Sequence, residues 1–382
     1  KPDSEAATPG GLESAAGGTP RFPCFDGLRT IAAMAVLVHH VAGTTGAVTG
    51  TAAGYAYAHL DAGVTVFFVI SGFLLYRPFV VAHLTGRPAP RTGPFYKRRF
   101  LRIFPAYWAA LLVVWLVLGT ITVGNTESFI RYFTLTQIYS KAHVLGGIVP
   151  AWSLATEISF YAVLPLYAVA IGALARRAGK PHAVELGGVV ALYAIGIGTH
   201  AALLYSHDAA TPATLWLPSQ VDLFALGMGL AVLHAMGPTR IGHAVGRHAA
   251  ACWAFAGVAF WAACTQLDLP RVFADLPKAG ELWRQVLYAA TAVGLVAPAV
   301  FGDQHRGAIR AFLRSWPMVA LGIISYGVFL WHFDLMKKLD EWYPHASFAG
   351  LLVAVTAAAV AVSVVSWFVL EKPLQSLSRR RR

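Results

Sequence analysis

The chain has 382 residues, 57% of them hydrophobic and only 13% charged, with a formal net charge of +12. Soluble domains carry about 25% charged residues, so this composition excludes an ordinary soluble protein and places the chain in a membrane. Apolar runs recur too regularly for two or three soluble domains, so the length counts spans of one all-α bundle.

Residues 1–21 are rich in Ala, Gly, Ser, Thr and Pro without an apolar run, and are expected to form a disordered tail. Ten runs then have the length and apolarity of bilayer helices: 28–46, 62–84, 103–121, 152–175, 184–204, 214–236, 246–266, 284–301, 316–338 and 348–370. Together they define a transmembrane domain over 22–375, followed by a basic tail, 376–382, suited to lipid headgroups. The stretch ESFIRYFTLTQIY, 127–139, is too short and polar to span, and reads as interfacial or re-entrant.

Lysine and arginine should gather on the cytoplasmic side. With both termini inside, only seven of the 30 fall outside: Arg131, Lys141, Arg271, Lys278, Arg284, Lys337 and Lys338. An eleventh span at 127–139 would carry the RRAGK stretch outside and invert everything after it. The predicted class is therefore an all-α membrane protein with about ten transmembrane helices and cytoplasmic termini. This bias also explains the net charge without nucleic acid as a partner. Cys24, Cys252 and Cys264 show no metal-ligand spacing, and no metal is expected.

Several polar residues interrupt these runs. In FDGLRTIAAMAVLVHH, 25–40, Arg29 and His40 are eleven positions apart, about 1100° and 16 Å along a helix, so they share one face. His40 falls near mid-membrane, where an ionisable group is costly and marks a site; a histidine that merely bonds a neighbouring helix is the competing reading. The next polar cluster, FYKRRFLRIFPAYW, sets Arg99 and Arg102 three apart, a spacing and chemistry suited to phosphate oxygens. Pro105 fits a helix start there and Trp108 an interfacial anchor, while Lys97 and Arg98 read as topological charge.

PAWSLATEISFYAVLPL then places Trp152 and Ser153 near the outer interface with Glu157 one turn deeper, at about the depth of His40. A lone carboxylate in an apolar helix needs a partner, and the histidine is the nearest useful one. His40 and Glu157 are accordingly expected to share a cavity beside Arg99 and Arg102, with Asp222 or His332 as the next partners for His40. SQVDLFALGMGLA contributes Asp222, and SYGVFLWHFDL contributes Ser325, Tyr326, Trp331 and His332.

Taken together, FDGLRTIAAMAVLVHH, FFVISGFLL, RFLRIFPAYW, WSLATEISFY, DLFALGMGLA, SYGVFLWH and the closing EKP, in that order from 25 to 373, resemble the acyltransferase 3 family of integral membrane acyltransferases. The resemblance implies a ten-helix bacterial plasma-membrane protein that moves an acetyl or other short acyl group from acyl-CoA to a hydroxyl of a sugar, glycolipid or related acceptor. No appended hydrolase domain of the kind some members carry is expected. The Ala/Gly/Arg-rich style adds an envelope glycolipid such as a trehalose mycolate as a candidate acceptor. On this reading Arg29, Arg99 and Arg102 hold the phosphates of acyl-CoA, and His40 acts as general base or becomes transiently acylated, with Glu157 orienting it. Trp152, Ser153, Asp222, Ser325, Tyr326 and His332 are the candidate substrate contacts. A secondary transporter, which should show internal repeats, and a non-catalytic lipid or solute receptor are the alternatives.

Overall fold

The computed structural model describes residues 22–49, 51–206, 212–266 and 278–379. The expected N-terminal tail, Arg271 and the last three arginines lie outside the described residues. What is described is helical, with no strand among the described residues.

The helices are α1 (Phe25–Thr44), α2 (Ala52–Ala58), α3 (Ala62–Thr85), α4 (Thr92–Val113), α5 (Thr126–Phe133), α6 (Trp152–Ala178), α7 (Pro181–Ser206), α8 (Leu217–Ala235), α9 (Arg240–Arg247), α10 (Ala249–Gln266), α11 (Lys278–Val300), α12 (Ala308–Leu313), α13 (Trp316–Trp342), α14 (Phe348–Ser366) and α15 (Lys372–Arg379). Among the described residues eight stretches are long and apolar enough to cross a membrane: Ala52–Thr85, Thr92–Leu118, Val149–Ala178, Pro181–Ser206, Pro212–Ala235, Ala249–Gln266, Trp316–Trp342 and Phe348–Ser376. The remaining two expected spans are helices of sufficient length, α1 with 20 residues and α11 with 23. Their polar insertions set them apart: Arg29, His39 and His40 in α1, and Glu281, Arg284 and Gln285 in α11.

Helices α3 and α8 form the buried centre, while α7 and α14 turn most of their apolar surface outward, as lipid-facing helices do. The central pair can approach closely because of two glycines. A Cβ on Gly72 would collide with the Phe224 carbonyl, and one on Gly227 with the Val69 carbonyl. Without a hydrophobic drive between helices in lipid, such small-residue contacts are what hold spans together. Phe68, Phe224 and Phe160 stack in sequence across α3, α8 and α6, with ring centroids 4.5 and 4.2 Å apart.

Several local expectations change. Pro105 starts no helix: α4 begins at Thr92, so this proline lies in its interior. Trp108 Nε1 donates to the Phe133 carbonyl at 2.8 Å and so ties α4 to α5. Segment 127–139 does stay off the spanning path, as an eight-residue helix capped by Asn125 and a following turn of 3-10 helix at Gln137–Tyr139. Its Phe129 and Ile130 are exposed, as an interfacial helix requires. The seventh run is shorter than expected, because the chain breaks at His248 between α9 and α10. At the end of α14 a π-helical turn, Trp367–Glu371, precedes Pro373, whose missing N–H leaves a carbonyl of the preceding turn without its helical donor.

Candidate active site

Five helices, α1, α3, α4, α6 and α13, supply the polar groups of one cavity between them. Arg29 enters from the first turn and a half of α1, and Arg99 and Arg102 from the first half of α4. Ser153 and Glu157 come from the start of α6, Ser71 from the middle of α3, and Ser325 and Tyr326 from α13, each also lining the cavity. The four-residue step from Ser153 to Glu157 brings both to one face of α6, as their order in the sequence predicts.

Among the lining side chains cations outnumber carboxylates: three guanidiniums and one carboxylate line the cavity. Glu157 accepts a hydrogen bond from the Ser71 hydroxyl, and the Arg99 guanidinium lies 5.8 Å from the centre of the Tyr161 ring. Arg29 makes a 3.4 Å contact with Asp26 and is electrostatically coupled to Glu157 and Arg102. Glu371, the glutamate of the closing EKP, is 4% exposed. Even so, the buried Arg99 Nε finds no hydrogen-bond partner among the described residues. An unpaired buried guanidinium N–H carries a desolvation cost that an anionic ligand would remove.

The hydroxyls from α13 are already engaged. Ser325 Oγ donates to the Gly322 carbonyl at 2.8 Å, and Tyr326 donates to the Ile103 carbonyl at 2.9 Å, joining α13 to α4. They shape the cavity wall and leave their oxygen lone pairs as acceptors.

His40 is not among the residues lining this cavity. Its Nδ1 lies 3.0 Å from the Val36 carbonyl and 3.1 Å from His332 Nε2, while His332 Nδ1 lies 3.0 Å from the Val328 carbonyl. A carbonyl only accepts, so His332 Nδ1 carries its proton and His332 Nε2 presents a lone pair. His40 Nδ1–H therefore donates to His332 Nε2 and the Val36 carbonyl together, and the lone pair of neutral His40 resides on Nε2. Phe329 connects the histidines to the cavity: it lines that space, and its ring centroid is 5.9 Å from that of His332 and 6.0 Å from that of Phe67, another lining residue.

The expected site residues thus fall into three groups. Arg29, Arg99, Arg102, Ser153, Glu157, Ser325 and Tyr326 share the cavity. His40 and His332 pair beside it, so His40 meets His332 rather than Glu157 as its direct partner. Trp152 lines a neighbouring cleft, and Asp222, 1% exposed, accepts from Gln285 Nε2 at 3.0 Å, tying α8 to α11. Sequence reasoning missed Ser71, Tyr161, Phe329 and Glu371. Two signals for them existed: a serine inside the apolar FFVISGFLL, and a tyrosine four positions after Glu157.

A family model described as an acyltransferase domain, Acyl_transf_3, matches residues 22–370. Acyltransferase MdmB of Streptomyces mycarofaciens is 24% identical over 95% of this chain and 94% of its own length. Nodulation protein 10 of Rhizobium leguminosarum bv. viciae is 25% identical over 82% of each chain. The putative peptidoglycan O-acetyltransferase YrhL of Bacillus subtilis is 24% identical, matching 94% of this chain and 56% of its own length. No solved structure matches the chain.

Proposed function

The chain belongs to the Acyl_transf_3 family of acyltransferases, and from that premise we propose that it is a multi-pass membrane O-acyltransferase moving an acetyl or other short acyl group from acyl-CoA to a hydroxyl of a carbohydrate or glycolipid. The observation that carries the donor assignment is the cavity itself: three arginines, one of them with an unpaired buried N–H, facing a single lining carboxylate. Such a space favours a polyanion, and guanidinium forks match phosphate oxygens.

Arg29, Arg99 and Arg102 hold the phosphates of acyl-CoA, and the acyl thioester extends toward Phe329 and the histidines. His40 Nε2, the nitrogen left unprotonated by the His332 and Val36 contacts, takes the proton of the acceptor hydroxyl as the oxygen attacks the thioester carbonyl. The new C–O bond forms, the C–S bond breaks, and the proton passes to the leaving thiolate to give CoA. Transient acylation of the same nitrogen is the two-step variant of this route. Glu157 acts on the arginines, as the lining carboxylate that limits their mutual repulsion, and not as the direct partner of His40. With N- and C-termini in the cytoplasm of a bacterial plasma membrane, Arg29 and the first half of α4 lie toward the cytoplasmic supply of acyl-CoA.

Incubating the purified chain with labelled acetyl-CoA tests the reading. CoA release coupled to label in an acceptor hydroxyl ester is expected, with His40→Ala abolishing transfer while acetyl-CoA still binds. Full turnover in a folded His40→Ala variant would remove His40 from the chemistry, and failure to bind acetyl-CoA at all would remove the donor assignment.

A further inference from the structure

Behind Val64 and Phe68 lies a second cleft, and these two residues of α3 line both it and the arginine cavity. Phe68 meets the Trp152 ring edge-on, with centroids 6.4 Å apart, to complete the partition. At the start of α6 the two spaces divide adjacent residues: Trp152 lines the cleft and Ser153 the cavity. The cleft walls come from the first turns of α3, α6, α8 and α11 and from the last turns of α7, all at the end of the bundle where α1 finishes.

The chemistry of the two spaces differs. Asp61 and Glu281 oppose a single arginine, Arg284, so the cleft has no excess of cations to attract a phosphate. Its polar side chains are braced by one another: Tyr288 donates to Asp61 at 2.6 Å, Arg284 to Glu281 at 2.5 Å, and Gln285 to Asp222 at 3.0 Å. Gln220 donates to the Thr214 carbonyl at 2.8 Å. Carboxylates and amides fixed in this way retain further donors and acceptors, set beside the flat apolar face of an indole. His200, 6% exposed, lines the same cleft and has an Nδ1 without a hydrogen-bond partner among the described residues. A buried polar atom left over in a braced polar cleft marks a place where a ligand group belongs.

We propose that this cleft is the acceptor site and binds a neutral carbohydrate unit, whose hydroxyl passes the Val64–Phe68 partition to meet the acyl thioester in the arginine cavity. The proposal rests on the acyl-transfer reading above and adds where the acceptor sits and what it is made of. Sugar hydroxyls both donate and accept, which matches mixed carboxylates, amides and one guanidinium, and the apolar C–H face of the ring matches Trp152. In the transfer the hydroxyl oxygen gains the acyl carbon, its proton goes to His40 and then to the CoA thiolate, and the C–S bond is lost.

The test uses the purified full chain in nanodiscs with octyl β-D-glucoside carrying a photoreactive diazirine. Label is expected in peptides from the first turns of α3, α8 and α11, displaced by unlabelled octyl glucoside but not by octanol. Gln285→Ala and Glu281→Gln are expected to raise the KM for octyl glucoside at least tenfold while acetyl-CoA affinity stays within twofold. Label outside these peptides, equal displacement by octanol, or an unchanged glucoside KM in folded Gln285→Ala overturns the proposal. The labelling needs no acyl-CoA, so the two readings fail separately: label in the cleft without acetyl-CoA binding sinks acyl transfer alone, and acetyl-CoA cleavage with label elsewhere sinks the acceptor site alone.

Discussion

His332 Nε2 lies 3.1 Å from His40 Nδ1, joining the C-terminal half of α13 to the C-terminal half of α1. The pair is positioned by its helices: each histidine is bonded through Nδ1 to the carbonyl four residues earlier on its own helix. His332 adds to His40 an acceptor that strengthens as positive charge develops on the His40 ring. It is therefore a positioning residue, expected to act on turnover and not on donor binding. Replacing His332 by Phe should lower kcat roughly ten- to hundredfold, less than the roughly 10²–10⁴-fold that the general base itself contributes, and leave the KM for acyl-CoA unchanged. His332→Gln, which keeps an acceptor oxygen, should recover part of the loss. Equal kcat in wild type and His332→Phe would make the contact a packing feature.

Replacing Arg99 or Arg102 by Ala should weaken acyl-CoA binding while leaving the acceptor KM nearly unchanged. Losing one charge-assisted contact costs about 1.5–3 kcal/mol, or roughly a ten- to hundredfold rise in Kd. Lysine at either position should rescue only in part, because a point charge cannot reproduce the guanidinium fork. The unpaired Nε makes Arg99 the more sensitive of the two. Calorimetry with CoA is the direct measurement, and an unchanged Kd in a folded double variant would reduce both arginines to topological charge.

Much of this arrangement is legible in the sequence, and the missing part has a physical cause. Helical periodicity puts Ser153 and Glu157 on one face and makes polar residues in apolar helices conspicuous, so seven of the cavity residues can be named in advance. Depth along the bilayer also places His40 and Glu157 at similar levels. Depth does not give azimuth, however: which neighbour a face meets depends on how five helices pack, and there His40 turns to α13 and His332. Apolar residues such as Phe67 and Phe329 carry no sequence signal that separates a cavity wall from ordinary core. The same limit applies to Pro105, whose residue type fits a helix start as well as the interior position it occupies.

The close approach of α3 and α8 predicts a stability difference between glycines that look alike in the sequence. Gly72→Ala and Gly227→Ala each drive a methyl group into a backbone carbonyl of the facing helix. Overpacking of this kind costs about 1–3 kcal/mol, so both variants should unfold at lower temperature than wild type. Gly187, in α7, has nothing within 4 Å of an added Cβ. Gly187→Ala should be neutral or stabilising by up to about 1 kcal/mol through helix propensity. Thermal unfolding in detergent ranks the three, and a Gly72→Ala variant as stable as Gly187→Ala would show that the helices can separate without loss.

The two-sided arrangement of donor and acceptor depends on the orientation of the bundle, which charge bias alone predicts. Arg87 follows the end of α3 and Lys141 follows the interfacial segment, and both are exposed. They lie on opposite sides of one spanning helix, α4, so a single pair of labels reports the orientation. In a variant with its three cysteines replaced, Lys141→Cys should react with a membrane-impermeant maleimide in intact cells, and Arg87→Cys only after the membrane is opened. This outcome puts the first turns of α1 and α4, with Arg29, Arg99 and Arg102, on the cytoplasmic side, and puts Asp61, Trp152 and Gln285 toward the outside. The reverse pattern would set the arginine cavity toward the compartment that lacks acyl-CoA, and the donor assignment would fall with the topology.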